Sequence, residues 1–411
     1  MTSSLVLDPV RASWLTASDT RAVLAALAAG GRRPRLVGGC VRDALLGRPV
    51  TDVDIATPEP PQRVIELLTA AGLKAVPTGI EHGTITAVVR GRPFEVTTLR
   101  RDVTTDGRRA VVAFTDDWTE DAARRDFTIN ALSADPDGRV HDPFGGVADL
   151  NAARVRFVGD AEQRIREDVL RILRFFRFHA HYGRGDPDAA GLAACRALAS
   201  LLPNLSAERI ATELLKLLAA DDPATTVLLM REAGILAPIV PEIEDVERLR
   251  GLQRLSEPAA RDRVLRLAAL LPDRPATATA VAERLHLSNA DRDRLVALAG
   301  APASLWPARG PQALRRALHR LGPGTVRDLA LLACARDDEA LGRPALQAVA
   351  DWQPVTLPVK GQDALDLGLA PGPRVGELVA AVERWWEEGD YRADRAACLA
   401  RLKTLVGDTT T

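Results

Sequence analysis

"LVGGCVRDALLGRPVTDVDIAT", residues 36–57, decides how the rest of the chain is read. Apolar residues run into Gly38 and Gly39, a short amphipathic stretch follows, and "TDVDIAT" alternates. The order predicts strands over 33–41 and 51–57, separated by a short helix around Arg42–Leu46. A glycine pair between strand and helix lets backbone N–H groups approach a phosphate. Asp52 and Asp54 stand two residues apart, so on a strand both carboxylates share one face. Two carboxylates that close repel unless a cation sits between them, and Mg²⁺ accepts such ligands while keeping positions for water and substrate phosphates. Two solvated turn aspartates would give the same letters, but would leave Val53, Ile55 and the glycines unexplained.

Working outward, "GTITAVV" and "RPFEVTTLR" alternate about the turn "RGR" and read as a hairpin. "NALSADPDGRVHDP" repeats the pattern, with Pro136–Gly138 as its turn. From about residue 150 helical periodicity takes over, with segments at 160–182, 189–201, 206–219 and 222–233. Further helical segments fall at 259–271, 275–286, 289–299, 311–321, 324–336, 374–388 and 392–406. The fold class is therefore α+β: a head with a small mixed or antiparallel sheet, followed by an all-helical remainder.

A chain of 411 residues exceeds one core and implies two to four domains. No apolar run approaches the ~18–20 residues needed to cross a bilayer. The N-terminal "MTSSLVLDPVRASW" lacks the basic start and apolar core of a signal peptide, which predicts a cytoplasmic protein. Cys40, Cys195, Cys334 and Cys398 lie far apart without a CxxC pair, against both a disulfide framework and a zinc site. Net charge is −1, so no global basic field announces nucleic acid. Only Lys74, Lys216, Lys360 and Lys403 are lysines, and the remaining cations are arginine. Arginine suits bidentate phosphate recognition, although a GC-rich genome would inflate it together with Ala, Gly and Pro.

Two further stretches carry chemistry. In "EDAARRDFTINAL" (120–132), Arg124, Arg125, Asp126 and Asn130 stand out, and Asn130 is a poor helix former that makes defined side-chain hydrogen bonds. Taken alone, the arginines and Asp126 also fit a surface salt-bridge cluster. In "REDVLRILRFFRF" (166–178), an apolar helix carries Asp168, Arg171, Arg174 and Arg177 at three-residue steps. Asp168 and Arg171 would be neighbours on one helix face, which as a bare pattern is an intrahelical ion pair.

"VGG" followed by "DVD" on the next strand resembles the nucleotidyltransferase superfamily related to DNA polymerase beta. The longer "GGCVRDALLGRPVTDVDIAT" resembles the class II tRNA nucleotidyltransferases, the CCA-adding enzymes and their poly(A) polymerase relatives. The resemblance is specific over residues 36–183, weaker to about 235, poor over 240–355, and returns over "GQDALDLGLAPGPRVGELVAAVERWW" (361–386). It implies metal-assisted nucleotidyl transfer with Asp52 and Asp54 as Mg²⁺ ligands and Glu95 as a third acidic residue. It also implies that Gly38, Gly39 and Arg42 meet the triphosphate, with Asp43 structural. "RRDFTINAL" is similar to the family's ribose-recognition element, implying that Arg125 contacts substrate and that Asp126 with Asn130 selects the 2′-hydroxyl. The segment 101–118, with "TTDGRR", resembles the family's mobile loop.

"EDVLR" resembles the family's nucleotide-selecting element, with Asp168 and Arg171 as its functional pair and Arg174 and Arg177 contacting nucleotide. The donor–acceptor logic is independent of the family. A carboxylate accepts and a guanidinium donates, while cytosine and adenine each present an amino donor beside an unprotonated ring nitrogen. Uracil and guanine present the inverse pattern, so one Asp–Arg pair accepts C and A and rejects U and G. "LSAERIATELLKLLAA" (205–220), with Ser206 as a cap, reads as a packing helix. The His141–Asp142 dipeptide lacks the further ligands of an HD phosphohydrolase.

The implied organisation is a head over 1–150, a neck over 151–235 carrying the selecting helix, and a body and tail over 236–411 that bind the acceptor and T arms of tRNA. The implied activity is template-independent addition of CCA to tRNA from CTP and ATP. Its rivals are an A-adding, CC-adding or poly(A)-synthesising sibling, and a catalytically inactive RNA-binding module.

Overall fold

The computed structural model describes residues 5–8, 10, 12–105 and 110–407, with side chains of 102–112 outside that description. The chain forms two compact units, one running to Ile243 and the other beginning at Glu244.

In the first unit, α1 (Ser13–Thr16) and α2 (Ser18–Ala28) precede β1 (Arg35–Val37) and α3 (Gly39–Leu45). Then come β2 (Asp54–Thr57), α4 (Pro61–Ala70), β3 (Lys74–Gly79), β4 (Thr84–Val89) and β5 (Arg92–Thr98). A separate ribbon pairs β6 (Arg100–Thr105) with β7 (Ala110–Phe114) before α5 (Trp118–Ala123). The short strands β8 (Ser133–Ala134) and β9 (Val140–His141) close the head, and α6 (Gly146–Asn151) leads out of it. The main sheet has seven strands in the order β3-β4-β5-β2-β1-β8-β9. Every neighbouring pair is antiparallel except β2 and β5, which run parallel. The sheet is mixed, and both hairpins expected from the sequence are present.

Alternation explains the core. Ile85, Ala87, Phe94 and Val96 point to one side of the β4–β5 hairpin and pack with Leu36, Val41, Ile55, Val64 and Leu68. Strand β3 escaped the sequence reading because it is a largely exposed edge strand interrupted by Pro77, which only an edge tolerates. The segment 101–118, expected as a loop, is instead mostly the β6–β7 ribbon and the start of α5. Residues 106–109 of its "TTDGRR", like residues 1–4 at the N-terminus, lie outside the described residues.

The neck contains α7 (Ala161–Glu167), α8 (Leu170–Tyr182), α9 (Ala189–Leu198), α10 (Ala207–Leu218) and α11 (Pro223–Glu232). The helix expected over 160–182 is therefore two helices. The break falls at Asp168, whose backbone is extended (φ −151°, ψ 106°). Its carboxylate accepts from the Leu170 N–H at 3.1 Å, so the residue that ends α7 also starts α8, as short acidic side chains do at helix starts. Aromatic packing seats α8 on the head. Phe127 lies 4.9 Å from Phe157 and 5.1 Å from Phe178, and Phe157 stacks on Phe175 at 5.5 Å. Ser206 stands at the start of α10, but its side chain makes no cap hydrogen bond.

The second unit contains helices and no strand among its described residues. Beyond the expected segments it contains helices at Glu247–Arg254, Glu339–Ala350 and Gly361–Asp366. No helix among the described residues is long and apolar enough to cross a membrane.

Candidate active site

The turn between β1 and α3 is built on Gly38, whose φ of +68° and ψ of −119° suit glycine alone. A Cβ there would also sit 2.9 Å from Arg125 Nη1, so the missing side chain is what lets that guanidinium approach the turn. Helix α3 starts at Gly39, three residues earlier than the sequence suggested, and strand β1 ends correspondingly at Val37. This places Arg42 within α3. It is 7% exposed, and all three of its guanidinium nitrogens donate. It donates to Asp43 at 3.0 and 2.8 Å, to Asn130 Oδ1 at 2.5 Å and to Tyr182 Oη at 2.6 Å.

Strand β2 begins at Asp54, so Asp52 lies on the segment entering the strand, a correction to the expected strand over 51–57. Asp54 faces Glu95 directly in the parallel β2–β5 register. Burial raises the Asp54 pKa, the Glu95 charge adds to this, and Asp52 contributes more weakly, while Arg125 opposes them. Negative charge is thus concentrated where one arginine only partly offsets it. A divalent cation fits this set, since hard ions prefer carboxylate oxygens. The three carboxylates do not crowd onto one point. Among the described residues the His/Cys/carboxylate group with all ligand atoms within 4.8 Å of one another is His319, Glu383 and Glu387 in the second unit. There Arg320 already faces both glutamates.

The "RRDFTIN" element forms a knot of paired charges. Asp121, 3% exposed, accepts from Arg124 at 3.0 and 2.8 Å, from Arg125 at 3.3 Å and from the Arg100 N–H at 3.2 Å. Burial pushes its carboxyl up, but the two guanidinium charges outweigh that and hold it below the usual range. Asp126 accepts from Asn130 Nδ2 at 2.9 Å, from the Phe127 N–H at 2.9 Å and from Arg174 Nε at 2.7 Å. These contacts likewise overcome burial and keep Asp126 ionised. Burial also works against the Arg174 charge, but Asp126 leads a set of carboxylates that more than compensates, so its pKa rises.

The neck turn departs from the sequence reading. Asp168 and Arg171 do not pair. Arg171 donates to Glu167 Oε2 at 2.6 Å and to the Arg164 carbonyl at 2.8 Å. Asp168 is held by Arg209 of α10, whose Nη2 lies 2.9 and 2.8 Å from its two oxygens. Arg177 pairs with the buried Glu213 and lies 4.3 Å from the Phe178 ring.

These elements enclose a cleft of about 610 Å³. Gly38, Gly39, Arg42, Asp54, Arg125, Asp126, Asn130, Asp168, Arg171 and Arg174 line it, as do Arg100, Arg124 and Arg209. Asp52, Glu95 and Arg177 do not line it. For Arg177 the reason is the three-residue step, which winds the side chain around α8 toward Glu213. Arg209 was missed because α10 reads as a packing helix. The one anomaly on that helix, the carboxylate Glu213 in its apolar face, leads to its partner Arg177 and not to Arg209. His141 and Asp142 belong elsewhere: His141 Nε2 is 2.9 Å from Asp135, and Asp142 accepts from the Gly146 and Val147 N–H groups at the start of α6.

Comparison with known proteins covers both units. A family described as the poly A polymerase head domain matches residues 34–156, and one described as a probable RNA and SrmB-binding site of polymerase A matches residues 187–246. The mitochondrial CCA tRNA nucleotidyltransferase 1 of Mus musculus is 34% identical over 388 residues, covering 90% of this chain and 86% of the relative. That coverage carries the likeness into 240–355, where no motif was readable. A CCA-adding enzyme of Streptococcus pyogenes is 44% identical over 200 residues, 48% of each chain. The crystal structure of the Bacillus stearothermophilus CCA-adding enzyme in complex with CTP has a TM-score of 0.78 at 28% identity, covering 96% of this chain and 98% of that one.

Proposed function

The chain belongs to the CCA tRNA nucleotidyltransferases, and from that premise we propose that it adds CCA to tRNA 3′ ends from CTP and ATP without a nucleic-acid template. One observation carries the reading: Asp54, facing Glu95 across β2 and β5, opens onto the same cleft as Asp168 and Arg171.

Enzymes of this family use divalent metals, and Mg²⁺ is the ion we assign here. Asp52 and Asp54 would hold it, with Glu95 as the third carboxylate. Bound there, such ions lower the pKa of an attacking 3′-hydroxyl and neutralise the triphosphate and leaving pyrophosphate. The chain's own residues do the rest. The Gly38–Gly39 turn offers backbone approach to phosphate, and Arg125 supplies positive charge beside it. Asp126 and Asn130, locked to each other and to Arg174 and Arg42, form a polar wall for the ribose. Asp168 accepts and Arg171 donates, the pattern that matches cytosine and adenine and mismatches uracil and guanine.

We read residues 1–150 as the catalytic head, 151–235 as the neck and 236–411 as the body and tail that hold the acceptor and T arms of tRNA. Arginine contacts to phosphate would supply salt-dependent affinity. A cytoplasmic location is part of this proposal, set against the mitochondrial location in the name of the Mus musculus relative. The test is incorporation of labelled CTP and ATP into tRNA lacking its 3′ CCA, with Mg²⁺. Complete CCA ends are expected, with Asp52→Ala abolishing transfer while tRNA binding persists. Incorporation of ATP alone would select an A-adding enzyme, and no incorporation would refute the enzymatic reading.

A further inference from the structure

We propose that Arg164, which does not line the cleft, is a positioning residue that sets base selectivity by fixing Arg171 relative to Arg125; the inference rests on the functional reading above. Arg164 lies on α7 and is 8% exposed, so its guanidinium needs acceptors close by. It finds them on both sides of the site. Its Nη2 donates to the carbonyl of Arg125 at 2.9 Å and also to the carbonyl of Arg124, at the C-terminal end of α5. A cation is favoured there by the unsatisfied carbonyls of the helix end. Its Nη1 donates to Glu167 Oε2.

The consequence lies in what Arg164 shares with Arg171. Glu167 Oε2 also accepts from Arg171 Nη1 at 2.6 Å, and the Arg124 carbonyl also accepts from Arg171 Nη2 at 3.4 Å. Two of the acceptors that hold Arg171, Glu167 Oε2 and the Arg124 carbonyl, are therefore shared with the Arg164 side chain. The backbone of Arg164 contributes as well, since its carbonyl accepts from Arg171 Nη1 at 2.8 Å. Two guanidiniums dividing these two acceptors, with the Arg164 carbonyl as a third, hold Arg171 where it lines the cleft. Removing the Arg164 side chain frees both acceptors. Arg171 can then bond them more fully and withdraw from a base edge. The same guanidinium holds the backbone of Arg125, whose side chain abuts the Gly38 turn. Base reading and the catalytic turn are thus tied through one buried cation.

The test is single-nucleotide incorporation on tRNA ending before its CCA, comparing kcat/KM for CTP with that for UTP. Arg164→Met should lower the CTP-to-UTP ratio about tenfold, the scale of coupling between residues sharing partners. Arg164→Lys, which keeps the charge without the planar fork, should give an intermediate loss. In an Arg171→Ala background, Arg164→Met should reduce the ratio no further. A purely structural role would reduce the folded fraction, read by thermal unfolding, and leave the ratio intact. If Arg164→Met does not fold, Arg164→Lys decides. An unchanged ratio in a folded variant, or additive losses in the double variant, overturns the proposal alone. A parent protein that incorporates no CTP overturns the functional reading, and this proposal with it.

Discussion

Asp168 and Arg209, 41 positions apart, are joined through both carboxylate oxygens, with Arg209 Nη2 at 2.9 and 2.8 Å. The Leu170 N–H at 3.1 Å takes a second site on Oδ1. Oδ2 keeps a lone pair without a partner among the described residues, so under the proposed function Asp168 would meet an incoming base as an acceptor of fixed direction.

Arg209→Ala should therefore weaken nucleotide use more than stability. The pair is partly exposed, with side chains 29% and 28% accessible, and such pairs contribute about 0–1 kcal/mol. Thermal unfolding should shift little, while KM for CTP and ATP rises and discrimination against UTP falls. A variant with unaltered KM and selectivity would show that Asp168 orients itself without Arg209.

Acid should unfold the head partly through Asp126. Its carboxyl is buried, yet Arg174, Asn130 and the Phe127 N–H hold it below its ordinary value of 3.8. A pKa lower in the folded than in the unfolded state stabilises the fold fully above the ordinary value. That contribution is lost as pH falls below 3.8 toward the folded value. Asp126→Asn should be less stable at neutral pH by about 3 kcal/mol, because Arg174 loses its nearest charge. Its urea-unfolding free energy should also fall less steeply with acid than that of the parent. Parallel curves would contradict the assignment.

Gly38→Ala should damage both fold and chemistry. The backbone is at φ +68° and ψ −119°, and the new methyl would lie 2.9 Å from Arg125 Nη1. Strain of this kind costs about 1–3 kcal/mol. Displacing Arg125 should raise KM for nucleotide beyond what lost stability explains. Wild-type KM in a folded Gly38→Ala protein would show that Arg125 acts without that contact.

The contrast between these residues shows where sequence reading succeeds. The Gly38–Asp54 stretch was legible because a glycine turn and alternating carboxylates are local patterns. The hairpins at 90–92 and 136–138 were legible for the same reason. The helix break at Asp168 was not, because apolar periodicity runs through it and the break depends on one side chain capping the turn that follows it. The Asp168–Arg209 bond was invisible for a different reason: on α10, Arg209 is one polar residue on an amphipathic helix, and its partner is remote in sequence. Arg177, legible as one of a series, turned out to serve Glu213. Strand β3 was hidden because an edge strand with an internal proline has neither alternation nor burial to announce it.

The proposed function turns on base choice by side chains of the neck turn, beside carboxylates of the head. Single-turnover incorporation by Asp168→Ala, with CTP and UTP supplied separately to tRNA lacking CCA, tests it most directly. Transfer should survive at a reduced rate while the preference for CTP over UTP collapses. A variant that still transfers and still prefers CTP as strongly as the parent would contradict it.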